Sequence, residues 1–126
     1  MKITDVRCTV FEWTPPGSGF TGSIRPFMGG EKSAVPYMIV RMFTDEGIEG
    51  NTNMYVFGNK GLTDQIESRI RPMLIGEDPM YIEAIWQKVW RQGRGMHPHY
   101  FILGTVDVCL WDILGKALGM PIYKIL

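Results

Sequence analysis

One stretch of the chain decides the fold: residues 106–123 have the sequence VDVCLWDILGKALGMPIY. The apolar residues in it recur every three or four positions, which is the spacing of an amphipathic helix. The same spacing continues upstream and predicts a helix over residues 101–118. Its apolar side consists of Leu103, Val106, Leu110, Ile113, Leu114 and Ala117. Gly119 fits the left-handed position that ends a helix, and Pro121 follows it.

Three charged side chains of this helix have structural explanations. Asp112 and Lys116 are one helical turn apart, so we expect an ion pair on the helix surface. Asp107 lies close to the apolar side, where a carboxylate is expected to bond a nearby backbone group. These residues therefore predict no active site by themselves.

Two shorter helices are predicted upstream. Apolar residues of the first recur every four positions: Leu62, Ile66 and Ile70. Pro72 is expected to stop that helix, because proline has no backbone N–H to donate. Asp78 followed by Pro79 predicts the start of the second helix, as an N-cap and a first helical residue. The apolar side of the second helix consists of Ile82, Ile85, Trp86 and Val89, and Gly93 to Gly95 breaks it.

The N-terminal part of the chain has the alternating pattern of β-strands. Strands are predicted over residues 3–13, 37–44 and 48–56. Residues 44–47 predict a tight turn between the last two strands, since Gly47 can supply the positive φ that such a turn needs. The sequence therefore predicts an α+β domain, a three-stranded antiparallel meander followed by three helices.

Composition narrows the class of protein. The 126 residues suit one domain, and 45% of them are apolar, enough for a core. Thirteen basic residues balance thirteen acidic ones, which argues against a nucleic-acid partner. Cys8 and Cys109 both lie in apolar patterns and are expected to be buried, reduced thiols. With no signal peptide and no apolar run of membrane-spanning length in the sequence, we expect a cytoplasmic protein with no membrane partner.

Residues 14–35 carry no periodic pattern. The segment holds five glycines and three prolines, and its length favours a functional or mobile loop. Residues 17–22 match the dinucleotide-binding pattern G-x-G-x-x-G, but no helical pattern follows to hold a pyrophosphate. A flexible glycine-rich loop is the favoured interpretation. Arg25 lies among apolar residues, which suits either a lid over a small carboxylate or an ordinary solvated side chain.

His97 and His99 offer two imidazoles that lie close together in the sequence. A metal site would need a third or fourth ligand, and no cysteine or carboxylate lies nearby. A polar loop that contains Pro98 is the favoured interpretation. We therefore predict no metal site in this chain.

Several motifs together resemble one family. Residues 106–123 resemble the signature D-x-A-L-W-D-x-x-G-K-x-x-G-x-P of the mandelate racemase/muconate lactonizing enzyme family, in the enolase superfamily. Cys109 stands where the signature has alanine. Residues 40–50 resemble the family hairpin V-R-V-x-T-D-x-G-x-x-G, and residues 74–79 resemble its L-I-G-x-D-P. Residues 1–6 resemble a typical opening of the family, so the resemblance spans the whole chain.

The resemblance implies an N-terminal capping domain over residues 1–126, followed by a (β/α)8 barrel that this chain does not include. In the family, the Mg²⁺ ligands and the acid/base residues all lie on the barrel. We therefore assign no catalytic and no metal-binding residue here, and we expect this chain alone to be inactive. Residues 14–35 would act as the active-site lid. The expected substrate contacts come from that loop and from a second loop over about residues 51–58: Phe20, Ile24, Arg25, Asn53 and Tyr55.

For the parent enzyme, the resemblance implies abstraction of a proton next to a carboxylate, with Mg²⁺ as cofactor to stabilise the enediolate. An acid-sugar dehydratase is the first expectation, and a racemase or cycloisomerase stays open. The expected partners are a small carboxylate substrate, the barrel and, in the full-length protein, further copies of the chain. One alternative is a stand-alone α+β module that binds a ligand or a protein. A small hydrolase built on His97 and His99 is a third hypothesis.

Overall fold

The computed structural model describes residues 1–13, 35–55, 61–92 and 100–126. Three strands come first: β1 (Ile3–Trp13), β2 (Val35–Thr44) and β3 (Glu49–Tyr55). A helical run follows, made of α1 (Gly61–Gln65), a π-helical turn (Ile66–Ile70) and α2 (Arg71–Leu74). The last elements are α3 (Ile82–Gln92), α4 (Tyr100–Leu118) and a 3-10 turn (Ile122–Lys124).

The sheet is the predicted antiparallel meander, in the order β1-β2-β3. Cys8 lies opposite Val40, and Val40 lies opposite Thr52. Gly47 has a φ of 79°, which confirms the predicted turn between β2 and β3. β2 begins at Val35, two residues before its predicted start, so Val35 belongs to the sheet and not to the preceding loop.

The prediction that Pro72 stops the first helix is wrong. A π-helical turn precedes Pro72, in which the Arg71 N–H bonds the Ile66 carbonyl five residues back. Pro72 then falls in the first turn of α2, where a helix does not need a backbone donor. The helical run therefore continues to Leu74 before the chain turns.

The predicted start of the next helix is also wrong. The Asp78 carboxylate accepts a hydrogen bond from the Met80 N–H at 3.0 Å, and the Asp78 carbonyl accepts one from Tyr81 at 3.1 Å. Asp78 and Pro79 therefore form a separate turn, because an aspartate side chain can bond its own backbone two residues on. α3 begins after that turn, with the Ile85 N–H bonded to the Tyr81 carbonyl at 3.0 Å.

The end of α4 has the predicted glycine cap. Gly119 has a φ of 63°. Its N–H bonds the Lys116 carbonyl at 3.2 Å, and the Met120 N–H bonds the Gly115 carbonyl at 3.0 Å. This pair of bonds is a Schellman motif, which satisfies two of the carbonyls that a helix end leaves without partners.

The core lies between one face of the sheet and the helices. Its fully buried side chains come from β1, β2, the helical run, α3 and α4, and include Val6, Met38, Val40, Ile66, Leu74, Ile85, Val89, Leu110 and Ile113. Cys109 is buried and Cys8 is half-buried, and both are free thiols, as expected. Burial raises the pKa of each thiol to about 12, so both stay protonated and unreactive at neutral pH.

The domain has two distinct ends. We call one the turn end, where the β2–β3 turn lies beside residues 75–81 and the end of α4. There the Ile3 N–H bonds the Glu77 carbonyl at 2.9 Å, and the Lys116 ammonium bonds the Glu49 carbonyl at 2.6 Å.

We call the opposite end the loop end, where β1 and β3 finish and β2 begins. The Thr105 hydroxyl lies 3.3 Å from the Met54 sulfur, and the Thr63 hydroxyl lies 3.5 Å from the Met38 sulfur. These contacts place the beginnings of α4 and α1 at the loop end as well. Described residues on both sides of segments 14–34, 56–60 and 93–99 therefore lie at this one end of the domain.

Candidate functional site

The predicted contact residues fall into two groups. Phe20, Ile24 and Arg25 lie outside the described residues, as do His97 and His99. Asn53 and Tyr55 lie on the last three residues of β3, where they pair with Ile39 and Tyr37 of β2. Asn53 is exposed. The structure therefore places the backbone of both β3 residues at the loop end, without testing whether any of the five contacts a substrate.

An aromatic pair that the sequence analysis did not single out covers the outer face of the sheet near Asn53. Phe11 of β1 lies opposite Tyr37 of β2, and their rings stack with centroids 5.7 Å apart. Phe11 remains 41% exposed, so this pair leaves apolar surface open at the loop end. The sequence could have predicted this pair only through the antiparallel register of β1 and β2, which places the two aromatic residues side by side.

A second aromatic group lies between α3 and α4. Trp86 and Trp90 stack with ring centroids 5.5 Å apart, and Trp90 lies 6.1 Å from Tyr100. Both tryptophans pack partly against the core, and Trp86 lies on the predicted apolar side of its helix. Tyr100 and Phe101 are 73% and 60% exposed at the first turn of α4. The loop end therefore carries exposed aromatic side chains on both sides of the domain.

The charged residues on the outer face of the sheet are paired with one another. The Arg41 guanidinium binds both oxygens of the Glu49 carboxylate, at 2.5 and 2.8 Å, and this bonding lowers the pKa of Glu49. Arg7 lies opposite Arg41 and is balanced by Asp5 at 2.7 Å. Both guanidinium groups lie over the Phe43 ring. These charges stabilise the sheet, and the arrangement leaves none of them poised as an acid or base.

The free edge of β3 is bonded by two side chains of α4. The Asp112 carboxylate accepts a hydrogen bond from the Asn51 N–H at 2.8 Å, and the Lys116 ammonium donates one to the Glu49 carbonyl at 2.6 Å. Asp112 and Lys116 also form the predicted ion pair, at 2.7 Å. The helical spacing predicted the Asp112–Lys116 pair but not its attachment to β3, because that attachment joins residues about sixty positions apart.

A groove of about 650 Å³ lies between α3 and α4 toward the turn end. Its lining is mostly apolar and consists of Met80, Tyr81, Ile82, Glu83, Ala84, Gln87, Trp111 and Leu114. Beside it, burial and the nearby Glu83 carboxylate raise the pKa of Asp107, and a hydrogen bond with Trp111 opposes them. Asp107 therefore has the Trp111 indole as a hydrogen-bond partner, and the expected bond to a backbone group stays a prediction. None of the lining residues is a predicted substrate contact, so the groove is not the predicted substrate site.

Within the described residues, no group of three His, Cys, Asp or Glu side chains could hold a metal ion. Several described carboxylates are instead bound to arginine, lysine or backbone N–H groups, as at Asp5, Glu67 and Asp112. None of the helices within the described ranges is long and apolar enough to cross a membrane.

The family is decided by a direct match. Residues 25–126 match the model of the mandelate racemase/muconate lactonizing enzyme N-terminal domain. The chain belongs to this family. Its α+β architecture, with three antiparallel strands followed by helices and no barrel, is that of the capping domain of the enolase superfamily. The resemblance inferred from the signature, the hairpin and the L-I-G-x-D-P motif is therefore confirmed.

Similar proteins are named as sugar-acid dehydratases. A D-galactonate dehydratase from Verminephrobacter eiseniae is 39% identical over 92 residues, which cover 71% of this chain and 24% of that protein. A D-galactonate dehydratase family member from Cellvibrio japonicus is 37% identical over 133 residues, which cover 100% of this chain and 27% of that protein. This chain thus spans about a quarter of the length of the curated relatives that it matches.

Solved structures show the same fold. An enolase superfamily member from Polaromonas sp. superposes with a TM-score of 0.80 at 29% identity, over 99% of this chain and 33% of that one. D-glucarate dehydratase from Agrobacterium tumefaciens, complexed with magnesium, superposes with a TM-score of 0.76 at 30% identity, over 99% of this chain and 32% of that one. In each case, the domain corresponds to about a third of the chain in the solved structure.

Proposed function

We propose that this chain is the capping domain of a larger enzyme, and that its loop end faces the substrate of a (β/α)8 barrel. The family match and the roughly fourfold greater length of the curated relatives support a second, larger domain. Exposed aromatic side chains at the loop end support a surface that faces another domain: Phe11, Tyr100 and Phe101. Residues 14–35 are the proposed lid, because both ends of that segment join the sheet at the loop end.

For the parent enzyme, we propose the dehydration of a sugar acid. A base removes the proton next to the carboxylate, and the neighbouring hydroxyl group leaves as water, which gives an enol that becomes a 2-oxo-3-deoxy acid. The observation that carries this proposal is the 39% identity to a protein named D-galactonate dehydratase. Racemisation is the second candidate, because N-succinyl Arg/Lys racemase from Bacillus cereus superposes with a TM-score of 0.76 at 26% identity.

The proposed contribution of this chain is selectivity and the exclusion of water, not catalysis. Its candidate contacts remain Phe20, Ile24, Arg25, Asn53 and Tyr55. A loop that closes over the pocket can select the end of the substrate that lies away from the reacting carbon. We expect the chain alone to be inactive, because in the family the acid/base residues and the Mg²⁺ ligands lie on the barrel.

We also propose that the parent enzyme uses Mg²⁺, works in the cytoplasm and forms a homo-oligomer. The described residues of this chain do not fit a magnesium ion, because no three potential ligands lie together. The proposal rests instead on the family and on the neighbour that was solved with magnesium. When bound, the ion would supply the positive charge that stabilises an enediolate.

The test is an assay of the longest polypeptide that contains this chain. The purified protein is incubated with a panel of sugar acids and Mg²⁺, and 2-oxo-3-deoxy acids are detected as semicarbazones. We expect turnover of at least one sugar acid and its loss in EDTA. Deuterium uptake at the carbon next to the carboxylate, without loss of water, would favour the racemase. A polypeptide of about 14.4 kDa that binds a ligand without turnover would favour the stand-alone module.

A further inference from the structure

The strongest unexplained feature is the way α4 holds the free edge of β3. Among the strands that the structure describes, β3 pairs only with β2, so its other edge has no neighbouring strand within the described residues. Asn51 and Glu49 are two residues apart on that edge, and α4 binds the N–H of one and the carbonyl of the other. We call this arrangement the edge clamp, made of Asp112 and Lys116.

The spacing of the edge clamp is a geometric match between a helix and a strand. Residues four apart on a helix are separated by about 6 Å along its axis, and residues two apart on a strand by about 6.6 Å. Because α4 runs antiparallel to β3, Asp112 meets Asn51 and Lys116 meets Glu49. The ion pair at 2.7 Å joins the two side chains, so each one limits the movement of the other.

A glycine at the centre of the clamp permits this close approach. A methyl group at Gly50 would overlap the carbonyl oxygen of Cys109 and come within 2.8 Å of Cγ1 of Ile113. The helix therefore packs on the strand as closely as the backbone allows. Any outward movement of α4 would separate the clamp from Asn51, so glycine and clamp act together.

The clamp ends two residues before Asn53, which is a proposed substrate contact. We propose that Asp112 and Lys116 are positioning residues: they hold β3 so that Asn53 is presented to the substrate. This inference rests on the proposed function. It assigns a role to the charged residues of the W-D-x-x-G-K part of the signature, which lie too far from the loop end to reach the substrate.

The chain offers a matched control at the turn end. Lys88 donates to the Met73 carbonyl at 2.8 Å and to the Glu77 carboxylate at 2.7 Å. Lys116 likewise donates to a backbone carbonyl and to a carboxylate, and the two lysines are 41% and 45% exposed. Lys88→Met and Lys116→Met therefore remove the same kinds of bond, but only the second acts on β3.

The experiment compares these two variants in the longest polypeptide that contains the chain. Hydrogen exchange of a peptide covering residues 49–55, read by mass spectrometry, should speed up about tenfold in Lys116→Met and stay unchanged in Lys88→Met. KM for the preferred sugar acid should rise about fivefold in Lys116→Met, with kcat within about twofold of wild type. Equal changes in both variants, or none in either, would overturn the proposal.

Asp112→Asn keeps an acceptor for the Asn51 N–H and removes the charge that binds Lys116. It should produce a smaller change in exchange and KM in the same direction, and it serves if Lys116→Met does not fold. A wild-type protein with no activity on any sugar acid would refute the proposed function. The hydrogen-exchange comparison would then show by itself whether the edge clamp holds β3, since it needs no substrate.

Discussion

The two ends of this domain are built differently. At the turn end, the chain reverses through short connections with glycines at positive φ, and neighbouring segments are joined by backbone hydrogen bonds such as that from Ile3 to Glu77. At the loop end, the described residues flank segments 14–34, 56–60 and 93–99 and include exposed aromatic side chains. The difference indicates that the turn end carries stability, and the proposed function assigns substrate selection to the loop end.

Gly50→Ala should have the largest effect, because it disrupts the contact between β3 and α4 near the turn end. The added methyl group meets backbone, which cannot rotate away, so we expect a loss of about 3 kcal/mol in the free energy of unfolding. Urea denaturation of the chain measures it. Gly104→Ala is the matched control: no atom lies within 4 Å of its added methyl group, and alanine should stabilise α4 by about 0.5–1 kcal/mol.

Gly119→Ala should have an intermediate effect. The added methyl group meets no atom within 4 Å, so the cost comes only from holding an L-residue at a φ of 63°. We expect a loss of about 1 kcal/mol, measured as a shift in the urea midpoint. A neutral Gly119→Ala would mean that the cap of α4 does not contribute to the stability of the turn end.

The predicted fold depended on local chemistry and was largely right for that reason. The β2–β3 turn, the end of α4 and the α+β order follow from glycine positions and apolar spacing within a few residues. The predictions at Pro72 and Asp78 were wrong because each residue type suits two local structures. A proline can stop a helix or lie in its first turn, and an aspartate can cap a helix or form a separate turn. A π-helical turn accommodated the proline, and the aspartate formed its own turn before α3.

The candidate site was less predictable, because its geometry depends on contacts between distant parts of the chain. The Asp112–Lys116 pair was visible on the helix, but its bonds to Asn51 and Glu49 join segments that meet only in the fold. The stacking of Phe11 on Tyr37 needs the strand register. Positions within a loop gave no geometric constraint, so Phe20, Ile24 and Arg25 stay predictions.

Asp107→Asn should have the smallest effect, and it tests the groove between α3 and α4. Burial and the Glu83 carboxylate raise the pKa of Asp107 above its ordinary value, so the ionised form destabilises the folded state. The wild type should lose stability relative to the variant as pH rises through that raised pKa. At a pH below the ordinary pKa of aspartate, the two proteins should unfold at the same urea concentration.

The measurement compares the urea midpoints of wild type and Asp107→Asn at acidic and at neutral pH. It shows directly whether the ionised Asp107 carboxylate destabilises the folded state. Because Asp107 is only partly buried, the variant should be only slightly more stable than wild type at neutral pH. A variant that is less stable than wild type at neutral pH would show that the hydrogen bond with Trp111 outweighs both burial and repulsion.

The proposed function requires that the loop end faces the substrate and that the turn end does not. The most direct test is the ratio of kcat/KM for two epimeric sugar acids in Asn53→Ala and Glu46→Gln, made in the longest polypeptide that contains the chain. Glu46 lies at the turn end, where its carboxylate pairs with the N-terminus at 3.1 Å. We expect the ratio to change about tenfold in Asn53→Ala and to stay at the wild-type value in Glu46→Gln. An unchanged ratio in Asn53→Ala, or an equal change in both variants, would contradict it.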